Sequence, residues 1–158
     1  MRVLENLQPA RVFYYFEEIA KIPHGSGNTK QISDYLVEFA KEHNLEHYQD
    51  EVNNVIMIKE ATAGYENSDP IIIQGHMDMV CEKESDCNID FEKDGLDLFV
   101  EDGFVKARGT TLGGDDGIAV AYALALLESS EYAHPRLEVV ITVDEETGMD
   151  GAYAIDLS

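Results

Sequence analysis

The chain has 158 residues, of which 44% are hydrophobic and 27% are charged, so it carries enough apolar side chains to form a core. This composition excludes an intrinsically disordered acidic tail, which requires low hydrophobicity. With 11 Lys and Arg against 32 Asp and Glu, the formal net charge is −21. An acidic surface repels phosphate groups, which argues against nucleic acid and anionic membranes as partners. An excess of acidic residues can attract metal cations or cationic ligands. A solvated acidic surface is the simpler explanation for most of these residues.

No targeting segment is recognisable at the start of the chain. Residues 1–6 lack the basic-then-apolar pattern of a signal peptide. The longest apolar run, residues 118–127, is half the roughly 20 residues that a membrane span needs. Cys81 and Cys87 lie in an acidic loop, and two thiols without a secretion signal are expected to be free. We therefore expect a cytoplasmic protein.

Three segments have the composition of helices. Apolar residues recur on one helical face in residues 12–20. A second amphipathic segment is expected to start with Asn28 or Thr29 as its cap and to end near Asn44. Residues 117–127 are apolar all round and rich in alanine, which predicts a helix that is buried on every side.

Strands alternate with these helices. Residues 55–58 form a short β-branched run, and the runs 71–73 and 137–143 are continuously apolar, as in strands buried on both faces. Residues 98–100 and 104–106 flank an acidic turn that ends in glycine, which predicts a hairpin. The pattern indicates an α/β fold in which helices cover a mixed sheet.

Polar side chains follow both of the long apolar strands. The first strand runs into His76 and Asp78, and the second runs into Glu145 and Glu146. In open α/β sheets, ligands bind at the carboxyl ends of the strands. Charged groups placed directly after core strands are costly to bury unless they have a partner, and a metal cation is one such partner.

A glycine-rich segment leads into the third helix. Here Gly113 and Gly114 precede Asp115 and Asp116, and either aspartate can lie at the helix N-terminus, where its charge is favourable. Taken alone, this segment is best explained as a capping aspartate in a glycine turn. It indicates a metal site only when it is considered together with the polar residues at the two strand ends.

Together, the three segments supply one imidazole and several carboxylates, which are ligand types that zinc accepts. Asp78, two residues from His76, can bond the second imidazole nitrogen and fix the tautomer. Of the adjacent Glu145 and Glu146, one can bind the metal while the other stays free as a general base.

Four motifs in this order resemble the di-zinc metallopeptidase family that contains aminoacylases, glutamate carboxypeptidases and several dipeptidases. The resemblance covers essentially the whole chain. The motifs that carry it are Ile22-Pro23-His24-Gly25-Ser26-Gly27-Asn28, Gly75-His76-Met77-Asp78-Met79-Val80-Cys81, Arg108-Gly109-Thr110-Thr111-Leu112-Gly113-Gly114-Asp115-Asp116-Gly117 and Glu145-Glu146-Thr147-Gly148-Met149-Asp150-Gly151.

The resemblance implies a role for each matching residue. It makes His76 a ligand of one zinc, Asp115 the carboxylate that bridges two zinc ions, and Glu146 a ligand of the second zinc. Glu145 resembles the catalytic base, and Asp78 the residue that orients His76. The cofactor implied is Zn²⁺, with Mn²⁺ or Co²⁺ as other possible metals. The implied substrates are small peptides, chiefly dipeptides of the Xaa-His type. The implied fold has three α/β/α layers around a mixed, mostly parallel sheet.

Length is the departure from the family, whose members have several hundred residues and a second, inserted domain. The 158 residues are therefore expected to be the N-terminal portion of the catalytic domain, without the lid or dimerisation domain that makes the full-length protein a possible homodimer. The resemblance places one further carboxylate ligand beyond residue 158 and a histidine near the far C-terminus. We thus expect little peptidase activity from the chain alone.

Two alternatives to this function stay open. The chain alone is either part of an enzyme or a non-catalytic module that binds metal weakly. An aminoacylase or carboxypeptidase-type amidohydrolase would use the same His76, Asp115 and Glu145-Glu146 constellation. Among the other candidate ligands, His24 lies near glycines in the first motif, and the resemblance gives Cys81 no role as a ligand.

Overall fold

The computed structural model describes residues 2–157. This part of the chain contains four helices and six strands, joined by loops. The helices are α1 Ala10–Ala20, α2 Lys30–Glu42, α3 Gly114–Glu128 and α4 Asp150–Ala154. The strands are β1 Glu46–Gln49, β2 Val55–Lys59, β3 Ile71–His76, β4 Leu98–Glu101, β5 Phe104–Ala107 and β6 Leu137–Thr142.

The first two helices form where the apolar spacing predicts them. In α1, Val12, Phe16 and Ile19 are buried along one face. Thr29 precedes α2, and its carbonyl accepts the first helical hydrogen bond, from the backbone N–H of Ser33 at 2.9 Å. The chain leaves α2 through Asn44, whose φ of 55° lies in the left-handed region that asparagine tolerates. Both helices are therefore confirmed.

The main sheet has the strand order β1-β2-β6-β3. β1 pairs with β2 and β2 pairs with β6 in antiparallel fashion, whereas β3 and β6 are parallel. The predicted mixed sheet is confirmed. Its mostly parallel character is not seen within residues 2–157, because two of these three pairings are antiparallel.

One face of this sheet forms the core with α1, α2 and α3. The side chains of Val55 and Met57 in β2 and of Val139 and Ile141 in β6 belong to the same buried cluster as the inner faces of the three helices. α1 packs on α3, α2 contacts β1 and β2, and α3 contacts β3 and β6. Among the described residues, the opposite face of the sheet is approached by α4 and the residues after it, through a cavity that Val140 and Ala152 both line. In the described part of the chain, the sheet and the helices α1 to α3 thus form two packed layers, and α4 lies beside the cavity on the other face.

The third helix is confirmed, but the prediction that it is buried on every side is wrong. Val120, Leu124 and Leu127 are buried in the core, whereas Tyr122 is 47% exposed and Leu126 is 38% exposed. The reason is that α3 packs on the sheet and α1 from one side only. The apolar composition therefore does not correspond to complete burial.

The two continuously apolar strands differ in burial. β6 lies between β2 and β3 and is buried at every position except the half-buried Glu138, in agreement with the prediction. β3 forms the strand as predicted, but Ile71 and Ile72 are 48% and 66% exposed, so its burial on both faces is not found. The cause is topological, because β3 is the edge strand of the sheet in the described residues.

The predicted hairpin is confirmed as β4 and β5, with Glu101 paired to Phe104. Asp102 and Gly103 make the turn with φ values of 52° and 80°, which suits a tight connection between twisted strands. Both cysteines are free, as predicted. No helix between residues 2 and 157 has the length and apolarity needed to cross a bilayer.

Candidate metal centre

Two strand ends meet at the candidate site. β3 and β6 are parallel neighbours in register, so that His76, the last residue of β3, pairs with Thr142 at the end of β6. Their carboxyl ends therefore deliver His76 and Asp78 on one side and Glu145 and Glu146 on the other to one edge of the sheet. The predicted convergence of the two segments is found.

His76 lies between two aspartates. The imidazole is buried, with the residue 6% exposed. Its Nε2 atom lies 3.1 Å from Oδ1 of Asp115, and its Nδ1 atom lies 3.0 Å from the backbone oxygen and 3.2 Å from Oδ1 of Asp78. Each ring nitrogen thus faces an oxygen acceptor, and Nε2 is the nitrogen that points toward the open side of the site.

Asp78 is the most deeply buried carboxylate of the site, at 1% exposed. Besides facing His76, it accepts the backbone N–H groups of Glu145 at 3.1 Å and Glu146 at 3.4 Å. The hydroxyl of Ser26 donates to its Oδ2 atom at 2.7 Å. Asp78 therefore joins the end of β3 to the turn after β6.

Glu145 and Glu146 belong to a tight turn that leads into α4. Asp144 enters this turn with a φ of 52°, and its Oδ1 atom accepts the backbone N–H of Gly27 at 2.7 Å. The turn places the two glutamates at different positions relative to His76. Glu146 contributes a ligand atom to a group with His76 and Asp115, whereas Oε2 of Glu145 lies 3.8 Å from Nε2 of His76.

The structure separates the two aspartates that sequence patterns leave interchangeable. Asp115, with ψ at 110°, departs from helical geometry and presents an 85% exposed side chain to His76. Asp116 turns the other way, and its Oδ2 atom accepts the backbone N–H of His76 at 3.2 Å. Asp116 approaches β3 so closely that a Cβ atom on Gly75 would lie 2.8 Å from this oxygen. Gly75 therefore provides the space through which Asp116 anchors the backbone of His76.

The surrounding carboxylates control the protonation of His76. Burial acts to lower the pKa of the imidazole, but the hydrogen bond with Asp115 and the charges of Asp78, Asp116 and Glu145 outweigh it and raise the pKa above the usual histidine value. Burial is also the main reason that the pKa of Asp116 is raised. The site is therefore strongly negative, and its carboxylates favour the protonated form of the His76 imidazole.

The donor set fits a divalent metal ion. His76, Asp115 and Glu146 place one ligand atom each so that all three lie within 4.8 Å of one another. Imidazole nitrogen and carboxylate oxygen are the borderline and hard donors that zinc and similar ions accept. Asp78 behind His76 is the outer partner that metal-binding histidines usually have. A cavity of about 450 Å³ opens beside these groups and is lined by His76, Asp115, Thr142, Glu145 and Met149 among others.

Other candidates lie outside this group. His24 is buried, burial lowers its pKa, and its Nδ1 atom lies 2.6 Å from the carbonyl oxygen of Ile22. Within residues 2–157, neither His24 nor Cys81 belongs to a group with metal-binding geometry. Ser26 and Asp116, in contrast, touch the site although the sequence predicts no site role for them: Ser26 stands out only as part of a motif, and Asp116 only as a possible helix cap.

Comparison with known proteins identifies peptidases as relatives. The sequence profile of peptidase family M20/M25/M40 matches residues 72–156, which is more than half of the chain. A cytosol non-specific dipeptidase from Escherichia coli strain K12 is 43% identical over 155 residues, which are 98% of this chain and 32% of that protein.

Solved structures agree with this result. An aminoacylhistidine dipeptidase from Vibrio alginolyticus matches with a TM-score of 0.94 and 38% identity, over 97% of this chain and 31% of that one. A tripeptidase from Staphylococcus aureus matches with a TM-score of 0.75 and 25% identity, over 92% and 39% of the two chains. The chain thus has the fold of these catalytic domains and spans about a third of the length of the dipeptidases that it matches.

Proposed function

Because the chain belongs to peptidase family M20/M25/M40, we propose that it supplies the metal-binding part of a metal-dependent dipeptidase. Membership confirms the family that the sequence motifs resemble. The observation that carries the proposal is the convergence of ligand atoms from His76, Asp115 and Glu146 at one sheet edge. Two dipeptidases that are similar over nearly the whole chain support dipeptides as substrates, and one of them is named for aminoacylhistidine, which supports the Xaa-His type.

The proposed ligands are His76, Asp115 and Glu146, and zinc is the proposed metal, with Mn²⁺ or Co²⁺ as alternatives. The two carboxylates balance the charge of one divalent ion. The resemblance divides these three residues between two ions, but their ligand atoms lie close enough together to hold a single ion, and a catalytic zinc ion takes three protein ligands and water. A second ion, with Asp115 as the bridge, requires ligands beyond these three, and we propose that the rest of the whole protein provides them.

A bound ion would lower the pKa of the attacking water and polarise the scissile carbonyl. We assign Glu145 the role of general base, because its carboxylate lies beside Nε2 of His76 yet outside the ligand group. Glu145 takes the proton of the attacking water and passes it to the leaving amine. Asp78 positions His76 by holding its Nδ1 atom, which keeps Nε2 directed at the ligand group.

Substitution of Glu145 in the complete protein tests this function. Glu145→Gln should lower the hydrolysis of a Xaa-His dipeptide by roughly 10²–10⁴-fold, the usual contribution of a general base, and should leave metal binding intact. An N-acyl amino acid assayed in parallel distinguishes a dipeptidase from an aminoacylase-type amidohydrolase. Undiminished dipeptide hydrolysis by the variant would contradict the assignment.

We further propose that the 158 residues form the N-terminal portion of the catalytic domain of a cytoplasmic enzyme. Similarity to a cytosol dipeptidase supports the compartment, and the coverage of 31% of the Vibrio alginolyticus chain supports a lid or dimerisation domain elsewhere in the whole protein. With three described ligands, the isolated chain should bind metal but hydrolyse dipeptides poorly. Dimerisation of the whole protein stays a prediction that sedimentation would test.

A further inference from the structure

The first sequence motif reaches the metal centre through one side chain. Ser26, which is 52 positions from Asp78 in the sequence, donates its hydroxyl hydrogen to Oδ2 of Asp78 at 2.7 Å. This is the shortest hydrogen bond described for that carboxylate, since the groups of His76, Glu145 and Glu146 lie 3.1 to 3.4 Å from its side-chain oxygens.

The loop that carries Ser26 is fixed on both sides of this bond. The backbone N–H of Ser26 donates to the carbonyl of Met79 at 3.2 Å, and the N–H of Met79 donates to the carbonyl of His24 at 3.1 Å. One residue further along, the N–H of Gly27 binds the carboxylate of Asp144. The hydroxyl therefore approaches Asp78 from a backbone that is itself bonded to the segments following β3 and β6.

The two oxygens of Asp78 divide their contacts. Oδ1 faces Nδ1 of His76 and accepts the N–H of Glu145, while Oδ2 accepts Ser26 and the more distant N–H of Glu146. Loss of the Ser26 hydroxyl would leave Oδ2 with a single long bond, so that only the contacts of Oδ1 and this bond would resist rotation of the carboxylate about its Cβ–Cγ bond. Rotation would remove Oδ1 from the ring of His76.

We propose that Ser26 is a positioning residue of the metal centre, which acts through Asp78 to hold the imidazole of His76 in its metal-binding orientation. This inference rests on the proposed metal site and adds to it a residue from the first motif. Outer partners of metal ligands typically change metal affinity by 10–100-fold, and Ser26, one bond further out, should have an effect at the lower end of that range.

The test is the Zn²⁺ affinity of the purified chain, measured by competition with a chromogenic chelator. Ser26→Ala should weaken binding by about 10-fold, whereas Ser26→Thr, which keeps the hydroxyl, should retain the wild-type affinity. Ser33→Ala is the matched control, because Ser33 lies in α2, outside the site, and donates a 2.8 Å hydrogen bond to the carbonyl of Asn53. Wild-type affinity in Ser26→Ala would overturn the proposal.

Amide hydrogen exchange provides a second test of Ser26 that does not require bound metal. In the metal-free chain, Ser26→Ala should accelerate amide hydrogen exchange at Glu145 and Glu146, which donate to Asp78, relative to the amides of β6, and Ser33→Ala should not. Unchanged exchange would overturn the proposal, and so would faster exchange without any loss of affinity, which would reduce Ser26 to a structural role. His76→Ala separates the two hypotheses: if it binds Zn²⁺ as wild type does, the metal site itself is wrong, and the exchange data still decide whether Ser26 holds Asp78.

Discussion

Oδ1 of Asp78 lies 3.2 Å from Nδ1 of His76, and the opposite nitrogen of the same ring faces Asp115 at 3.1 Å. The buried carboxylate thereby fixes which ring nitrogen is available to a ligand. The His-x-Asp spacing therefore places a carboxylate that can orient the imidazole two residues from the histidine that we propose as a metal ligand.

Removal of the Asp78 charge should weaken the metal site. Asp78→Asn keeps the shape of the side chain but loses the anionic acceptor for His76, so divalent metal affinity should fall by about 10–100-fold. Competition with a chelator measures the metal affinity of the folded variant. Asp34→Asn, on the exposed side of α2 in an ion pair with Lys30, is the control and should bind as wild type. Equal affinities for the two variants would contradict the role of Asp78.

The raised pKa of His76 predicts how stability depends on pH in the absence of metal. A histidine whose folded pKa lies above its unfolded value stabilises the fold fully below the unfolded value and loses that contribution as pH rises through the folded one. Urea unfolding in chelator should therefore show a larger stability difference between wild type and His76→Gln near about pH 6 than near about pH 8. The difference cancels the titration of acids that both proteins share. A difference that does not vary with pH would count against the environment described for His76.

Close packing at Gly75 should make it intolerant of a methyl group. Gly75→Ala places a Cβ atom 2.8 Å from Oδ2 of Asp116, so the variant should lose about 1–3 kcal/mol of unfolding free energy through overpacking. Gly114→Ala is the control, since the nearest atom to its added methyl would be Cδ2 of Leu112 at 3.9 Å. Denaturant unfolding of both variants measures the effect. Equal stability in the two would show that Asp116 moves aside without cost.

Burial on one side of α3 predicts unequal effects of two leucines. Leu124 is fully buried, and Leu124→Ala should cost about 2–5 kcal/mol of unfolding free energy. Leu126 is 38% exposed, and Leu126→Ala should cost much less. Denaturant unfolding again provides the measurement. Similar losses for the two would mean that α3 is covered on both sides in solution.

The sequence predicts the elements of the fold well where burial and pattern agree. The apolar runs of β2, β3 and β6 and the helical spacing of α1 and α2 are all local signals, and they are found. β1 was not predicted because Glu46–Gln49 is polar and lies at the edge of the sheet. The exposure of Ile72 and Tyr122 was also not predicted, since an apolar side chain does not reveal which neighbours the topology gives it.

The same limit applies to the candidate site. Strand patterns predict that His76 and Glu146 meet, because parallel strands end at one sheet edge. They do not distinguish Asp115 from Asp116, whose difference arises from backbone angles at the start of α3. Nor do they indicate Ser26, whose hydrogen bond to Asp78 joins distant parts of the chain.

The two adjacent glutamates provide the most direct test of the proposed metal site. We propose that Glu146 binds the metal with His76 and Asp115, while Glu145 stays free. The measurement is the Zn²⁺ affinity of Glu146→Gln and Glu145→Gln, two neighbouring variants that remove the same charge. Glu146→Gln should weaken binding at least as much as the roughly 10–100-fold lost with an outer partner, whereas Glu145→Gln should bind as wild type. Equal affinities for the two variants, or a loss confined to Glu145→Gln, would contradict this proposal.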